Sequence, residues 1–218
     1  MAFFTDYLAD PGTQRALLNQ TLEHAYLTAL PVLFAIVIGL TLGVVAHRLP
    51  RIRAALLRTV SLFLTIPSLA LFALLIPIVG IGAAPAIVAL TLYALLPIVR
   101  NTVSGLYSVD RAVVESAKGM GMGPAKQLWR IELPNAWPVM LAGVRVATLL
   151  TIGIAAVAAL VGGPGLGNEI YRGIRSMPAA GSLEALIGGT VAIVILALIF
   201  DLIYLAIGRL TISRGIRE

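Results

Sequence analysis

The chain has 218 residues, 59% of them hydrophobic and only 12% charged, with a formal net charge of +6. Soluble domains carry about a quarter of their residues charged, so this chain has too few polar side chains to clothe a soluble core and belongs in an apolar solvent. Cysteine is absent, which excludes disulfides, thiol catalysis and thiolate metal sites. His24 and His47 are the only two histidines and stand 23 residues apart, which argues against a metal site within the chain.

In chain order, residues 1–20 carry Asp6, Asp10 and Arg15 and lack the basic-then-apolar order of a cleavable signal. They are expected to be an external N-terminal segment. A bilayer core of about 30 Å needs roughly 20 apolar residues per helix. Ala25 to Ala46 is free of charge over 22 residues and predicts the first span. Thr59 to Val99 is free of charge over 41 residues, twice the required length, and is interrupted at Gly80-Ile81-Gly82-Ala83-Ala84-Pro85. That pattern predicts a tight hairpin of two spans, 59–79 and 84–104. A fourth span is expected over 136–161, ending at Gly162-Gly163-Pro164-Gly165, and a fifth over 183–207. The fold class is therefore an all-α integral membrane protein with five transmembrane helices. The transmembrane domain is expected over 21–212, with a tail at 213–218.

Basic residues set the orientation. Arg48, Arg51, Arg53, Arg58, Arg100, Arg111, Lys118, Lys126, Arg130, Arg209, Arg214 and Arg217 fall on one side, and Arg15, Arg172 and Arg175 on the other. Twelve against three places the first side in the cytoplasm, the N-terminus outside and the C-terminus inside. Charge at the ends of apolar runs is a topology signal, not the basic face of a nucleic-acid binder, so no nucleic acid is expected. Trp129 and Trp137 fall near the inner interface. Every span contains proline or glycine: Pro31, Gly39 and Gly43, then Pro67 and Pro77, Pro97, Gly143 and Gly153, and Gly188 and Gly189. These fit ordinary membrane-helix composition or kinked helices lining a path that opens and closes.

The cytoplasmic segment 100–134 carries the most specific signal. Asp110 can cap a short helix starting at Arg111, along which Ala112, Val113, Ser116 and Ala117 form a small apolar stripe. Gly119, Gly121 and Gly123 stop that helix, and Pro124 can start the next. Glu115-Ser116-Ala117, three residues, Gly121, nine residues, then Ile131-Glu132-Leu133-Pro134 resembles the EAA motif of ATP-binding-cassette importer permeases, with Ser116 where alanine is usual. The resemblance implies a type I importer permease in which this segment is a coupling helix seated in a cleft of a cytoplasmic ATPase. Glu115, Ser116, Ala117 and Gly121 would dock, together with the helix-stopping Gly119. Ile131, Leu133 and Pro134 would anchor the segment to the bundle.

Longer stretches are similar to the osmoprotectant subfamily: Thr21–Leu27, Ile66–Leu71, Leu92–Thr102 and Gly162–Gly167, with Pro164 replacing a small residue. The similarity covers about residues 20–212. It implies import of glycine betaine, choline or carnitine across the bacterial cytoplasmic membrane, with solute delivered by an external binding protein. The chain stops within a dozen residues of the fifth span, so a fused binding domain is not expected. Nucleotide chemistry is not expected in the chain either, because Gly119–Gly123 is followed by no Lys-Ser or Lys-Thr and is not flanked by a strand. ATP and Mg would be used by partner ATP-binding subunits, and this chain would be no enzyme and bind no cofactor. One five-helix chain is too small to enclose a solute path, which implies a second permease chain, identical or different. Aromatic cages hold quaternary ammonium ions, yet Phe34, Phe63, Phe72, Tyr93 and Phe200 are scattered along the spans. Two other readings stay open, a methionine or amino-acid importer permease and a passive gated channel. Arg145 and Asp201 are the two charges embedded in spans, each eight residues from an inner-interface marker (Trp137 and Arg209). They can form an intramembrane ion pair, act separately by snorkelling and facing a wet cavity, or line the solute path.

Overall fold

The computed structural model describes Tyr7 and residues 9–212. The expected tail at 213–218, with Arg214 and Arg217, and the N-terminal Asp6 lie outside the described residues. The secondary structure among the described residues is helical throughout. Helix α1 (Pro11–Arg48) is followed by α2 (Pro50–Thr65), α3 (Ser68–Val79) and α4 (Ala83–Tyr107). An excursion between α4 and the next long helix contains α5 (Arg111–Gly119), α6 (Pro124–Gln127) and a π-helical turn (Leu128–Glu132). Helix α7 (Leu133–Ala155) tightens into a 3-10 turn over Ala156–Val161, and α8 (Gly167–Ser176) and α9 (Ser182–Thr211) complete the chain.

Among the described residues, four stretches are long and apolar enough to cross a membrane: Pro11–Arg48, Ala83–Tyr107, Pro124–Val161 and Ser182–Thr211. The expected second span is a broken one. Helices α2 and α3 meet at 98° and pass the same test only as a bent pair, a fifth crossing when counted as one span. The break lies at Ile66-Pro67, where proline has no N–H to donate and disfavours helix for the residue before it. The freed Ile66 carbonyl accepts a hydrogen bond from the hydroxyl of Tyr93 on α4, at 2.9 Å. Tyr93 is itself buried. The break is thus satisfied inside protein, as a bilayer demands of irregular backbone.

Helix α1 is longer than the span expected from 25–46. Its 38 residues rise about 57 Å at 1.5 Å per residue, so it runs well past a hydrocarbon core. Residues 11–20 are continuous with it, and Asp10 caps its start by accepting from the Thr13 N–H at 2.7 Å and the Thr13 hydroxyl at 2.9 Å.

The core is a three-helix stack of α1, α4 and α7, made tight by small residues. A Cβ on Gly39 would crowd Ile98, one on Gly43 would overlap Thr102, and one on Gly143 would overlap Asn101. Gly105 approaches the Ala136 carbonyl in the same way. Apolar side chains contact lipid and protein alike, so small residues that admit close backbone approach drive such packing. This accounts for Gly39, Gly43 and Gly143 as packing positions, whereas Gly153 faces open space. Leu27, Phe72, Leu90 and Tyr93 fill one end of the stack, Val32, Leu95, Ile98 and Val144 its middle, and Leu106, Val109 and Met140 the other end.

Candidate functional site

Contacts divide the molecule into two ends. At one, the Gly82 N–H donates to the Val161 carbonyl at 3.2 Å, and the Gly165 N–H donates to Glu23 at 3.1 Å. Here Glu169 of α8, only 2% exposed, accepts from the hydroxyl of Tyr7 and from Arg172. Burial, reinforced by the Glu169 carboxylate, pushes the Tyr7 phenol up to about 12, so it stays a donor. At the same end His24 is buried beneath the Gly162–Gly167 loop, with Nε2 bonded to the Ile152 carbonyl at 3.0 Å.

The other end holds the excursion between α4 and α7. Asp110 caps α5, its carboxylate accepting from the Ala112 N–H at 2.8 Å. The helix closes in a Schellman turn: the Met122 N–H reaches the Ala117 carbonyl at 3.1 Å and the Gly121 N–H reaches Lys118 at 2.9 Å. Gly121 adopts φ +78°, a left-handed conformation that glycine takes freely. Cβ atoms at Gly119 and Gly123 would meet nothing within 4 Å, and neither has a positive φ.

Among the expected docking residues, Glu115, Ser116, Gly119 and Gly121 are exposed. Ala117 differs, being fully buried. Its small side chain is covered and not offered outward, so the apolar stripe expected from Ala112 to Ala117 is split between two faces. Exposed Val113 remains on the outer face, while Val114 packs on the Leu106–Met140 cluster. Of the expected anchors, Leu133 joins that cluster and Ile131 is half-buried. Pro134 is exposed and lines an apolar groove of about 510 Å³ with Leu40, Trp129 and Trp137.

The residues that hold the segment most firmly are others. Gln127, 3% exposed, donates from Nε2 to the Val114 carbonyl at 3.0 Å and binds the return path to α5. Glu132, 3% exposed, accepts from Arg48 Nη2 on both carboxylate oxygens, at 3.0 and 2.9 Å. His47 lies 4.0 Å from the same carboxylate and packs edge-on against Tyr107. The signal for Glu132 was its setting: a carboxylate between Ile131 and Leu133 must find a cation if it is buried, and Arg48 is the basic residue at the end of the first span.

Arg145 and Asp201 are brought together between α7 and α9. Arg145 Nε donates to Asp201 Oδ1 at 2.5 Å and Nη2 to Oδ2 at 2.8 Å, a two-point contact. One turn along, Thr148 and Tyr204 share a 2.8 Å hydrogen bond, so a polar strip joins the two helices. Trp137 Nε1 extends the joint by donating to Thr211 at 2.7 Å. No group of three or more His, Asp or Glu side chains that could hold a metal occurs among the described residues.

The family of binding-protein-dependent transport system inner membrane components matches residues 26–213. The chain belongs to that family. This permease is 39% identical over 202 residues to the choline transport system permease protein OpuBB of Bacillus subtilis, covering 93% of this chain and 91% of that one. It is 38% identical over 201 residues to the glycine betaine/carnitine/choline transport system permease protein OpuCB of the same organism, covering 92% and 91%. The osmoprotectant import permease protein OsmW of Salmonella typhimurium is 39% identical over 206 residues, covering 92% and 94%. In fold the permease matches a chain of the inward-facing MetNI methionine ABC transporter with a TM-score of 0.83 at 23% identity, over 94% of this chain and 100% of that one. The permease is thus a multi-pass membrane transport subunit with the type I ABC importer permease fold.

Proposed function

We propose that this permease imports a compatible solute bearing a quaternary ammonium group, such as glycine betaine, choline or carnitine, across the bacterial cytoplasmic membrane. The observation that carries the reading is near-full-length similarity to relatives named for those solutes. ATP hydrolysis takes place on partner subunits that receive the exposed face of α5. A second permease chain completes the path, and an external protein delivers the solute and sets its specificity. The basic end, with Arg48, Arg111, Lys118 and Lys126, faces the cytoplasm. The end with Tyr7, Glu23 and Glu169 faces outward. Arg145 and Asp201 join α7 to α9 within the membrane.

Solute uptake tests the substrate class. Cells without other osmolyte importers, given this permease with its ATPase and binding protein, should take up labelled choline, glycine betaine or carnitine, and excess methionine should not compete. Uptake of methionine with none of the three quaternary ammonium solutes would replace this reading with the amino-acid one. Single cysteines at Gln14 and Lys126, in this cysteine-free chain, test the orientation. An impermeant thiol reagent added to spheroplasts should label the first and spare the second.

A further inference from the structure

The proposed drive from the ATPase enters the permease at α5, and the covalent chain connects α5 to α4 before it and α7 after it. Helix α1 has no covalent link to the excursion, although it forms one side of the core stack. Apolar packing links them partway, with Leu40 and Val44 of α1 sharing the Leu106–Met140 cluster with Val114 and Leu128, but it stops short of the end of α1. A cavity of about 190 Å³ lies between Arg111 and Lys118 of α5 and His47 and Arg48 at the end of α1.

Polar contacts to a single carboxylate bridge it, from Arg48 and, at 4.0 Å, from His47. Glu132 sits at the last position of the π-helical turn, where the Leu133 N–H reaches back to the Leu128 carbonyl and the excursion becomes α7. Its carboxylate is sealed from solvent and held by Arg48, the last residue of α1. A buried carboxylate without its cation is strongly disfavoured, so the two ends resist separation. Gln127 fixes the same return path to the backbone of α5. A path of contacts thus runs from the backbone of α5 through Gln127 and the π-helical turn to Glu132 and Arg48. π-Helical turns inside helices are often found at functional sites.

We propose that the Glu132–Arg48 pair is a positioning tie that carries movement of the coupling segment into the inner end of α1, so that ATPase motion reaches the whole core stack. The tie rests on the importer reading above and adds a route that the docking residues alone do not supply. It has no role in seating the ATPase itself, because Glu132 is buried.

The experiment uses the complete complex, with ATPase and solute-binding protein, in proteoliposomes, and reads solute imported per ATP hydrolysed beside basal hydrolysis. Glu132→Gln and Arg48→Gln are each expected to keep basal hydrolysis while import per ATP falls about tenfold, within the usual range of coupling between sites, with Arg48→Gln, which leaves the buried carboxylate unpaired, assembling at lower yield. A double variant, R48C with E132C, provides a second handle in the cysteine-free chain. It should be uncoupled when reduced, regain import per ATP when a bis-methanethiosulfonate spacer joins the two thiols, and lose it again on reduction. Native import per ATP in both glutamine variants would overturn the tie, as would a spacer that leaves the double variant uncoupled. Failure of all variants to assemble, even with the spacer in place, would make the pair a folding element and overturn it too. The native complex separates the two ideas: ATP-driven import by the native chain beside fully coupled variants removes the tie alone. No ATP-driven import by the native chain removes the importer reading and the tie with it.

Discussion

Gly121 offers the sharpest test of the proposed coupling segment, because the structure isolates one physical cause. Its φ is +78° and a Cβ there would touch nothing within 4 Å. A side chain at 121 therefore meets no clash, and the whole penalty is backbone strain. For an ordinary L-residue the left-handed conformation costs roughly 1–2 kcal/mol, with asparagine tolerating it best. That cost lowers the population of the native turn about 5- to 30-fold relative to its alternatives. Loss of the turn releases the Met122-to-Ala117 and Gly121-to-Lys118 hydrogen bonds and with them the register of the exposed face of α5. ATP-driven uptake in proteoliposomes should then rank Gly121→Asn nearest native, Gly121→Ala lower and Gly121→Val lowest, with membrane insertion unchanged. Gly119→Ala and Gly123→Ala should remain near native, having neither a positive φ nor a neighbour to strike. Equal losses at 119, 121 and 123, or an asparagine variant as poor as the valine one, would refute the backbone argument.

Three further outcomes follow from the packing. Arg145→Asp or Asp201→Arg alone should lower the thermal stability of the purified permease by about 1–3 kcal/mol, below the full cost of breaking a buried pair because the contact is partly exposed, and the double swap should recover part of it. No recovery in the swap, with both single variants defective, would favour independent roles for the two charges. Gly43→Leu should abolish accumulation of folded protein by forcing α1 off Thr102, whereas Gly153→Ala should express normally, as seen by fluorescence-detected size exclusion. Tyr93→Phe should cost about 1 kcal/mol, the usual net worth of one hydrogen bond, read as a lower melting temperature of the purified permease.

Charge-free runs and turn residues were enough to place the crossings, because the bilayer fixes how long an apolar helix must be. The 98° break in the second span was not read from sequence. Pro67 was visible, but the Tyr93 hydroxyl that satisfies the broken backbone comes from another helix, 27 positions away. Gly39, Gly43 and Gly143 were legible only as membrane-helix composition or as kinks, since close approach depends on which helix lies opposite. Capping of α5 by Asp110 was readable because a cap is local. The burial of Ala117 and the pairing of Glu132 with Arg48 were not, since both depend on how the excursion folds back onto the bundle. Depth matching put Arg145 and Asp201 at the same level, and α7 and α9 being neighbours brings them into contact.

The proposed function couples ATP hydrolysis to inward movement of a quaternary ammonium solute. Its most direct test is accumulation in proteoliposomes carrying the permease, its ATPase and its binding protein, with ATP supplied only on the ATPase side. Accumulation of labelled glycine betaine, choline or carnitine above the outside concentration, abolished when ATP is replaced by a non-hydrolysable analogue, is the predicted result. Equilibration to the outside concentration at the same rate with or without ATP would contradict the account and make the protein a passive channel.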